Sequence, residues 1–305
     1  MKTPAATAAA VPDVDARTRS LSDFALLTKP RLNLLALVTT LAGIYLAAPE
    51  GVPLLLAFHT LVGTACVAGG AAALNQVWER DVDRLMRRTA GRPLPGGRLS
   101  VMEGTWFGVL LALAGIVDLA VKVNVLSAAV AGLTLVSYVV IYTPLKRRSS
   151  VSTLVGAIPG ALPPVIGWAA AADSITLPAL VLFGIQFFWQ MPHFLAIAWM
   201  YRDDYAAAGI PLLPVTEPDG RRTGQQALLY AAALWPVSVM PAVVGLAGVS
   251  YCVVATVLGL AFIAMAALFA RDRSMVTARR LFLFSILYLP LLLGALVIDR
   301  LWLSR

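Results

Sequence analysis

Nine apolar runs, each about 17 to 24 residues long, follow one another along the chain with short polar breaks between them. An α-helix of that length spans the hydrocarbon core of a bilayer. The pattern therefore predicts an all-α, polytopic membrane protein with nine transmembrane helices. The runs cover 32–48, 53–77, 104–121, 125–143, 151–171, 177–200, 226–247, 251–270 and 281–298. Pro159, Pro163 and Pro164 fall inside the fifth run and predict a kink there.

Basic residues alternate strictly between the polar breaks. If nine runs cross the membrane, 21 of the 24 lysines and arginines fall on one side, and only Lys122, Arg300 and Arg305 fall on the other. Cytoplasmic loops carry such an excess of positive charge. The distribution predicts a cytoplasmic N-terminus. Because the first residues do not resemble a transit peptide, we expect the host to be a bacterial inner membrane.

Composition agrees with this interpretation. The chain of 305 residues is 59% hydrophobic and 13% charged, with a mean hydropathy of +0.81, whereas soluble domains carry about 25% charged residues. The net charge of +8 is therefore explained by topology and not by nucleic-acid binding. We expect residues 1–22 to form a disordered cytoplasmic tail and 23–305 a single transmembrane domain. Cys66 and Cys252 lie inside apolar runs and are expected to pack there.

A polar helix face is predicted at the end of the second run. Asn75, Glu79 and Asp83 are four residues apart, which places them on one side of a helix, whereas Asp81 points elsewhere. Polar groups at a membrane boundary tend to be functional. Oxygen ligands of this kind suit Mg²⁺, which is usually held by one or two carboxylates together with substrate phosphates.

Basic and aromatic residues that follow the second and fourth runs are candidates for binding phosphate, because guanidinium groups match phosphate oxygens. Membrane topology alone would also place basic residues there, so both interpretations stay open. The candidates are Arg87, Arg88, Arg92, Tyr142, Lys146 and Arg147.

The sixth run contains His193 and ends near Tyr201, Asp203 and Asp204, on the same predicted side as Asp83. Two acidic helix ends facing one compartment indicate two related halves around one pocket. His59, the other histidine, is expected in the opposite leaflet. The two histidines are thus not expected to ligate one haem iron, which argues against an electron-transfer cytochrome.

In these segments the chain resembles the UbiA superfamily of intramembrane prenyltransferases, and within it the members that prenylate haem. The likeness rests on 27–31, 75–95, 142–147, 155–160, 163–168, 189–194 and 201–214. Glu79 stands where an aspartate is commoner. The superfamily's second motif has two acids four residues apart, but Met200 lies four residues before Asp204. The adjacent acids Asp203 and Asp204 would have to replace that motif.

The resemblance implies transfer of a farnesyl group from farnesyl diphosphate to the vinyl group of haem B, with addition of water, for terminal-oxidase haem synthesis. It implies Mg²⁺ as cofactor, the lipid bilayer as surroundings and a haem-A-forming oxygenase as a candidate partner. The catalytic residues would be Asn75, Glu79, Asp83, Asp203 and Asp204, of which Asp203 alone is not a metal candidate. His193, Tyr201 and the basic candidates would bind substrate. Two alternatives stay open: an aromatic acceptor such as 4-hydroxybenzoate, and a membrane transporter.

Overall fold

A computed structural model describes residues 20–48 and 50–303, and all regular structure in this part of the chain is helical. The expected tail at 1–22 therefore lies almost wholly outside the described residues. The helices are α1 (Leu21–Leu27), α2 (Pro30–Ala47), α3 (Leu54–Asp83), α4 (Val101–Lys122), α5 (Val125–Val136), a π-helical segment (Ser137–Tyr142), α6 (Thr143–Leu145), α7 (Ser152–Ala161), α8 (Pro163–Ala172), α9 (Leu177–Met200), α10 (Arg202–Ala207), α11 (Leu213–Thr216), α12 (Arg221–Val243), α13 (Val249–Asp272) and α14 (Met275–Leu303).

Within the described residues, nine helical segments are long and apolar enough to cross a membrane, which confirms the predicted number. They are α2, α3, α4, α5 to α6, α7 to α8, α9, α12, α13 and α14. The second extends to Asp83, six residues past the predicted end of its apolar run, because its last turns are polar but still helical. The predicted kink in the fifth is a break at Leu162, between α7 and α8.

Side-chain caps begin several of these helices. Ser100 accepts a hydrogen bond from the backbone of Glu103 and the Glu103 carboxylate accepts one from Ser100 in return, which forms a capping box at the start of α4. The same reciprocal pair, Ser20 and Asp23, begins α1. Asp23 also pairs with Arg98 at 2.7 Å, and this contact lowers the pKa of its carboxyl group. This ion pair joins α1 to the loop that precedes α4.

Glycines bring α3 and α4 into close contact. Gly63 and Gly70 on α3 face Gly115 and Gly108 on α4, with the same spacing of seven residues on each helix. A Cβ atom on Gly70 would lie 2.5 Å from the carbonyl oxygen of Gly108 and 2.7 Å from the Cβ atom of Ala112. Small residues allow helix backbones to approach in membranes, where van der Waals contact drives helix association.

We expect Gly70→Ala to destabilise the protein by about 1–3 kcal/mol, the usual cost of overpacking, because the added methyl group meets backbone atoms of α4. Gly132→Ala on α5 is the matched control, since a Cβ atom there meets nothing within 4 Å. Thermal unfolding in detergent should show a lower midpoint for Gly70→Ala and an unchanged or higher midpoint for Gly132→Ala. Equal midpoints would contradict the predicted packing role of Gly70.

Buried apolar side chains pack the helices into two groups. The largest buried cluster joins α9, α12, α13 and α14, and a second joins α3, α4, α5 and α8. A smaller cluster connects the groups at one end of the bundle, where Met86, after α3, packs against Tyr205 and Ile210, after α9. We call this end, where α3, α6 and α9 finish, the polar end. It holds the residues of the candidate site.

Candidate functional site at the polar end of the bundle

The last turns of α3 bury a polar face. Asn75, Glu79 and Asp83 retain 2%, 3% and 0% of their accessible surface. Polar groups that are buried to this extent require partners. The sequence spacing placed these three residues on one face, and the structure has them on one continuous helix.

Each residue of this face receives a cation from a different part of the chain. The Lys29 ammonium group donates to Oδ1 of Asn75 at 2.9 Å, and Lys146 pairs with Oε1 of Glu79 at 2.9 Å. Asp83 Oδ2 pairs with Nη1 of Arg92 at 2.6 Å. Packing brings Lys29 and Lys146 from distant parts of the chain, and the loop after α3 supplies Arg92, so three cations and two carboxylates lie together around Asn75. We call these residues the polar cluster: Lys29, Asn75, Glu79, Asp83, Arg92 and Lys146.

Local backbone features place two of the cations. Lys29 has a left-handed conformation (φ 49°) in the sharp turn between α1 and α2, and this turn directs its side chain to α3. On the other side, the π-helical segment precedes Lys146. Thr143, just after that segment, accepts a hydrogen bond from Nδ2 of Asn75 at 3.1 Å and donates one to the carbonyl of Tyr138 at 2.8 Å. Segments of π-helix are frequent at functional sites.

Arg92 is held by the loop between α3 and α4. Within this loop, Arg84 donates to the carbonyl of Pro95 and Thr89 donates to the carbonyl of Asp83. Leu94 is buried against Leu27 of α1 in a small apolar cluster. These contacts make the loop a fixed part of the site.

The electrostatics of the polar cluster favour an anionic ligand. Burial, together with the nearby Arg92 guanidinium, lowers the pKa of Lys29 to about 8. Burial alone would also lower the pKa of Lys146, but Tyr142 and the Glu79 carboxylate outweigh it and raise that pKa above its usual range. Three basic groups thus face two carboxylates, which leaves an excess of positive charge when Lys29 is protonated.

Asp83 also has a free acceptor. Its Oδ1 atom is buried and has no hydrogen-bond partner within the described part of the chain. Leaving a buried acceptor without a partner costs free energy, so Oδ1 of Asp83 is suited to bind a cation. The residues present therefore fit a divalent metal, which would find a carboxylate oxygen beside basic groups that attract phosphate.

Arg88 connects the two halves of the bundle next to this cluster. Its guanidinium carbon lies 5.1 Å from the ring centroid of Tyr201 and 5.7 Å from that of Tyr205, and Nη2 donates to the Tyr205 hydroxyl at 3.1 Å. Cation–π contacts of this kind contribute about 0.5–1 kcal/mol at exposed positions. Two of the predicted substrate-binding residues, Arg88 and Tyr201, are thus in contact.

Four other predicted site residues have no hydrogen bond or ion pair with the polar cluster in the described part of the chain. The Arg147 guanidinium is exposed and donates to the carbonyl of Trp78. The Asp203 side chain is 96% exposed and lies 3.8 Å from its neighbour Arg202. Asp204 is half-buried on α10 and Arg87 is exposed. No group of three His, Cys, Asp or Glu side chains in 20–48 and 50–303 forms a metal-binding set.

His193 lies inside the bundle, seven residues before the end of α9, or about 10 Å at the rise of an α-helix. Its ring is stacked between Trp189 and Phe282, and Nδ1 lies 2.7 Å from the hydroxyl of Ser285 on α14. His59 is near the start of α3 and pairs with Asp118 of α4. His193 is thus surrounded by aromatic rings and a hydroxyl group, whereas His59 faces a carboxylate.

Lys29 and Thr143 are candidate site residues that the sequence patterns did not predict. Lys29 counts toward the topological charge, although it also belongs to a segment that carries the family resemblance. Its position directly before a proline was the available signal, since Pro30 begins α2 and the preceding residue is kept out of the helix. Thr143 gave no such signal, because its contact with Asn75 depends on the packing of α3 against the fourth span.

Comparisons with known proteins agree with this geometry. A family model for the UbiA prenyltransferase family matches residues 36–288. A protoheme IX farnesyltransferase from Solibacter usitatus is 49% identical over 289 residues, which covers 92% of this chain and 99% of that protein. One from Aquifex aeolicus is 42% identical and covers 94% of this chain and 98% of its own length.

Solved structures share the fold. A structure of digeranylgeranylglyceryl phosphate synthase has a TM-score of 0.79 at 16% identity, covering 92% of this chain and 99% of that one. A UbiA homolog from Archaeoglobus fulgidus, bound to GPP and Mg²⁺, has a TM-score of 0.64 at 17% identity, covering 90% and 99%. The fold and its polar end are those of an intramembrane prenyltransferase. The chain belongs to the UbiA prenyltransferase family and, within it, to the protoheme IX farnesyltransferases.

Proposed function

We propose that this protein transfers the farnesyl group of farnesyl diphosphate to a vinyl group of haem B, with addition of water, to give haem O. The observation that carries this proposal is the buried face of α3, where Lys29, Lys146 and Arg92 surround two carboxylates. Such a site suits a diphosphate accompanied by a divalent cation. The names of the relatives, which are farnesyltransferases, support the choice of donor and acceptor.

We propose Mg²⁺ as the cofactor, held by Asp83 and Glu79 together with phosphate oxygens of the substrate. Asp83 is the stronger candidate, since one of its carboxylate oxygens is buried without a partner in the described chain. When bound, the metal would neutralise charge on the departing diphosphate. Asn75 holds Lys29 in place beside these acids.

The basic residues of the polar cluster would act on the leaving group. Lys29, Lys146 and Arg92 are fixed by their contacts before substrate binds, so they would stabilise the developing negative charge without reorganisation. The farnesyl chain would lie in the apolar interior of the bundle. The electron-rich vinyl group attacks carbon 1 of that chain, so the protein needs no covalent nucleophile.

We further propose that the polar end faces the cytoplasm of a bacterial cell and that the inner membrane is the host. The excess of lysine and arginine on that side supports this orientation. Labelling of single cysteines introduced at Arg87 and at Lys122 in intact cells tests it, since only the second should react with an impermeant reagent. The product would be a substrate for an oxygenase that forms haem A.

An acceptor assay tests the proposed reaction directly. Membranes that contain the protein are incubated with farnesyl diphosphate and either haem B or 4-hydroxybenzoate, and the products are identified by mass. We expect farnesylated, hydrated haem and no prenylated benzoate. The reverse result would identify a UbiA-type enzyme with an aromatic acceptor. Flux into sealed vesicles without any product would instead favour transport.

We expect Lys29→Met to raise the KM for farnesyl diphosphate about tenfold, the effect of losing one charged contact, with a smaller change in kcat. The methionine retains the length of the side chain but removes the ammonium group that faces the site. Arg31→Met is the control, because Arg31 is exposed two residues further on. Steady-state kinetics with varied farnesyl diphosphate measure both variants, and an equal KM in both would contradict the role of Lys29.

A further inference from the structure

Gly156 on α7 contacts the side chain of Tyr142 directly. A Cβ atom on Gly156 would lie 2.6 Å from Cε2, 2.7 Å from Cδ2 and 3.4 Å from Cγ of the tyrosine ring. Carbon atoms that are not bonded to each other attract best at about 3.5–4.0 Å. A side chain at position 156 would therefore need the space that the Tyr142 ring occupies.

Tyr142 borders the polar cluster. It ends the π-helical segment, and its carbonyl accepts a hydrogen bond from the backbone N–H of Lys146 at 2.9 Å. Its hydroxyl group lies close enough to the charged groups of Lys146, Glu79 and Arg88 to interact with them electrostatically. The ring that contacts Gly156 is thus at the edge of the cluster, near the arginine that connects the two halves of the bundle.

The Tyr142 ring has little freedom to move without leaving this position. Its centroid lies 5.2 Å from that of the Tyr138 ring, with 30° between the ring planes, so it packs against Tyr138 as well as α7. Because Cγ is bonded directly to Cβ, the ring can clear an added methyl group only by turning about its side-chain torsion angles. The hydroxyl end then moves farthest, and this is the end that interacts with the polar cluster.

α7 itself is held against α9 beside Gly156. Nε2 of Gln190 donates to the carbonyl of Ala157 at 2.6 Å in a buried hydrogen bond. One turn after Gly156, a Cβ atom on Gly160 would overlap Oε1 of the same glutamine, so the two helices are in close contact there. A shift of α7 would disturb these contacts, and the loss of a buried hydrogen bond costs free energy. We therefore expect the tyrosine ring to yield to an added methyl group, and not the helix.

We propose that Gly156 is a positioning residue for the prenyl donor: its missing side chain leaves the space in which the Tyr142 ring is held beside the polar cluster. An allylic diphosphate at the cluster would contact this ring where its charged head meets its apolar chain. The inference rests on the proposed function, since Tyr142 is predicted to bind that substrate.

A cycle of two substitutions tests the inference on purified full-length protein. Affinity for farnesyl diphosphate is measured by calorimetry with Mg²⁺ and without haem B, and kcat/KM is measured with haem B. We expect Gly156→Ala to weaken affinity about tenfold and to lower kcat/KM roughly a hundredfold, the effect of misplacing a group by about 1 Å. In a Tyr142→Ala background, the same change should alter either quantity less than about twofold, because the ring that it would displace is absent.

Gly132→Ala is the control, since it adds a methyl group to the same span as Tyr142 where nothing lies within 4 Å, and it should match the wild type. Equal losses from Gly156→Ala with and without the Tyr142 ring would overturn the proposal, because the methyl group would then act through α7. Wild-type affinity and kcat/KM in Gly156→Ala would also overturn it.

Thermal unfolding in detergent covers the case in which Gly156→Ala does not fold. The double variant should then recover the fold, because it lacks the ring that the methyl group meets, and a double variant that also fails to fold would contradict the proposal. If the wild type binds farnesyl diphosphate but forms no farnesylated haem, the proposed function fails, whereas the affinities still decide the role of Gly156.

Discussion

Asp83→Asn is expected to lower the turnover of farnesyl diphosphate roughly a hundredfold to a thousandfold, the effect of removing one preorganised electrostatic group from an active site. The change conserves shape but removes the charge that pairs with Arg92 at 2.6 Å. It also replaces a carboxylate, a preferred Mg²⁺ ligand, with a neutral amide. Turnover of farnesyl diphosphate with haem B, at saturating Mg²⁺, measures the loss.

The neighbouring acid Asp81 provides the control for this prediction. Asp81 lies two residues earlier on the same helix, but its side chain is 61% exposed and pairs only loosely with Arg80, at 3.5 Å. Asp81→Asn should therefore keep nearly full turnover. Both variants should run as folded protein on size exclusion in detergent. Wild-type turnover in Asp83→Asn, or a similar loss in both, would show that Asp83 is not part of the site.

Lys146→Met is expected to abolish activity and also to destabilise the protein, by about 3–5 kcal/mol, the usual cost of leaving one charge of a buried pair without its partner. Lys146 and Glu79 are both largely buried, with 13% and 4% of their side chains exposed. Removing the ammonium group leaves the largely buried Glu79 carboxylate without its ion-pair partner. Thermal unfolding and product formation measure the two effects separately.

A second substitution separates stability from catalysis. Adding Glu79→Gln to Lys146→Met removes the unpaired charge and should restore much of the thermal stability. Activity should stay low, because both the cation for the diphosphate and the carboxylate are missing. Arg148→Met, at an exposed position two residues away, is the control and should behave like the wild type. A fully active Lys146→Met variant would contradict the assignment of Lys146 to the leaving group.

The lengths of the apolar runs were sufficient to predict the nine spans, since each run satisfies the length that a bilayer requires and the structure has nine such helices in its described part. Local spacing also predicted the polar face of α3. Residues four apart share a side of any helix, so the common face of Asn75, Glu79 and Asp83 needed no tertiary information. Their catalytic roles, like those of Asp203 and Asp204, remain predictions.

Only the tertiary structure decided which groups meet that face. Lys29 lies 46 positions before Asn75, and Lys146 lies 67 positions after Glu79, and no periodicity relates residues so far apart. The basic residues of the loop after α3 look alike in sequence, yet the folded loop pairs Arg92 with Asp83 and leaves Arg87 in solvent.

Packing decided the surroundings of His193 in the same way. The sequence provides one histidine in an apolar helix, whereas the fold brings the hydroxyl of Ser285, 92 positions away, to 2.7 Å from its Nδ1. The sequence by itself thus determined the helices and the faces they present, because those depend on local spacing and on the bilayer. Contacts between distant helices determined the chemistry, because charge and hydrogen bonding act on whatever groups the fold brings within a few ångströms.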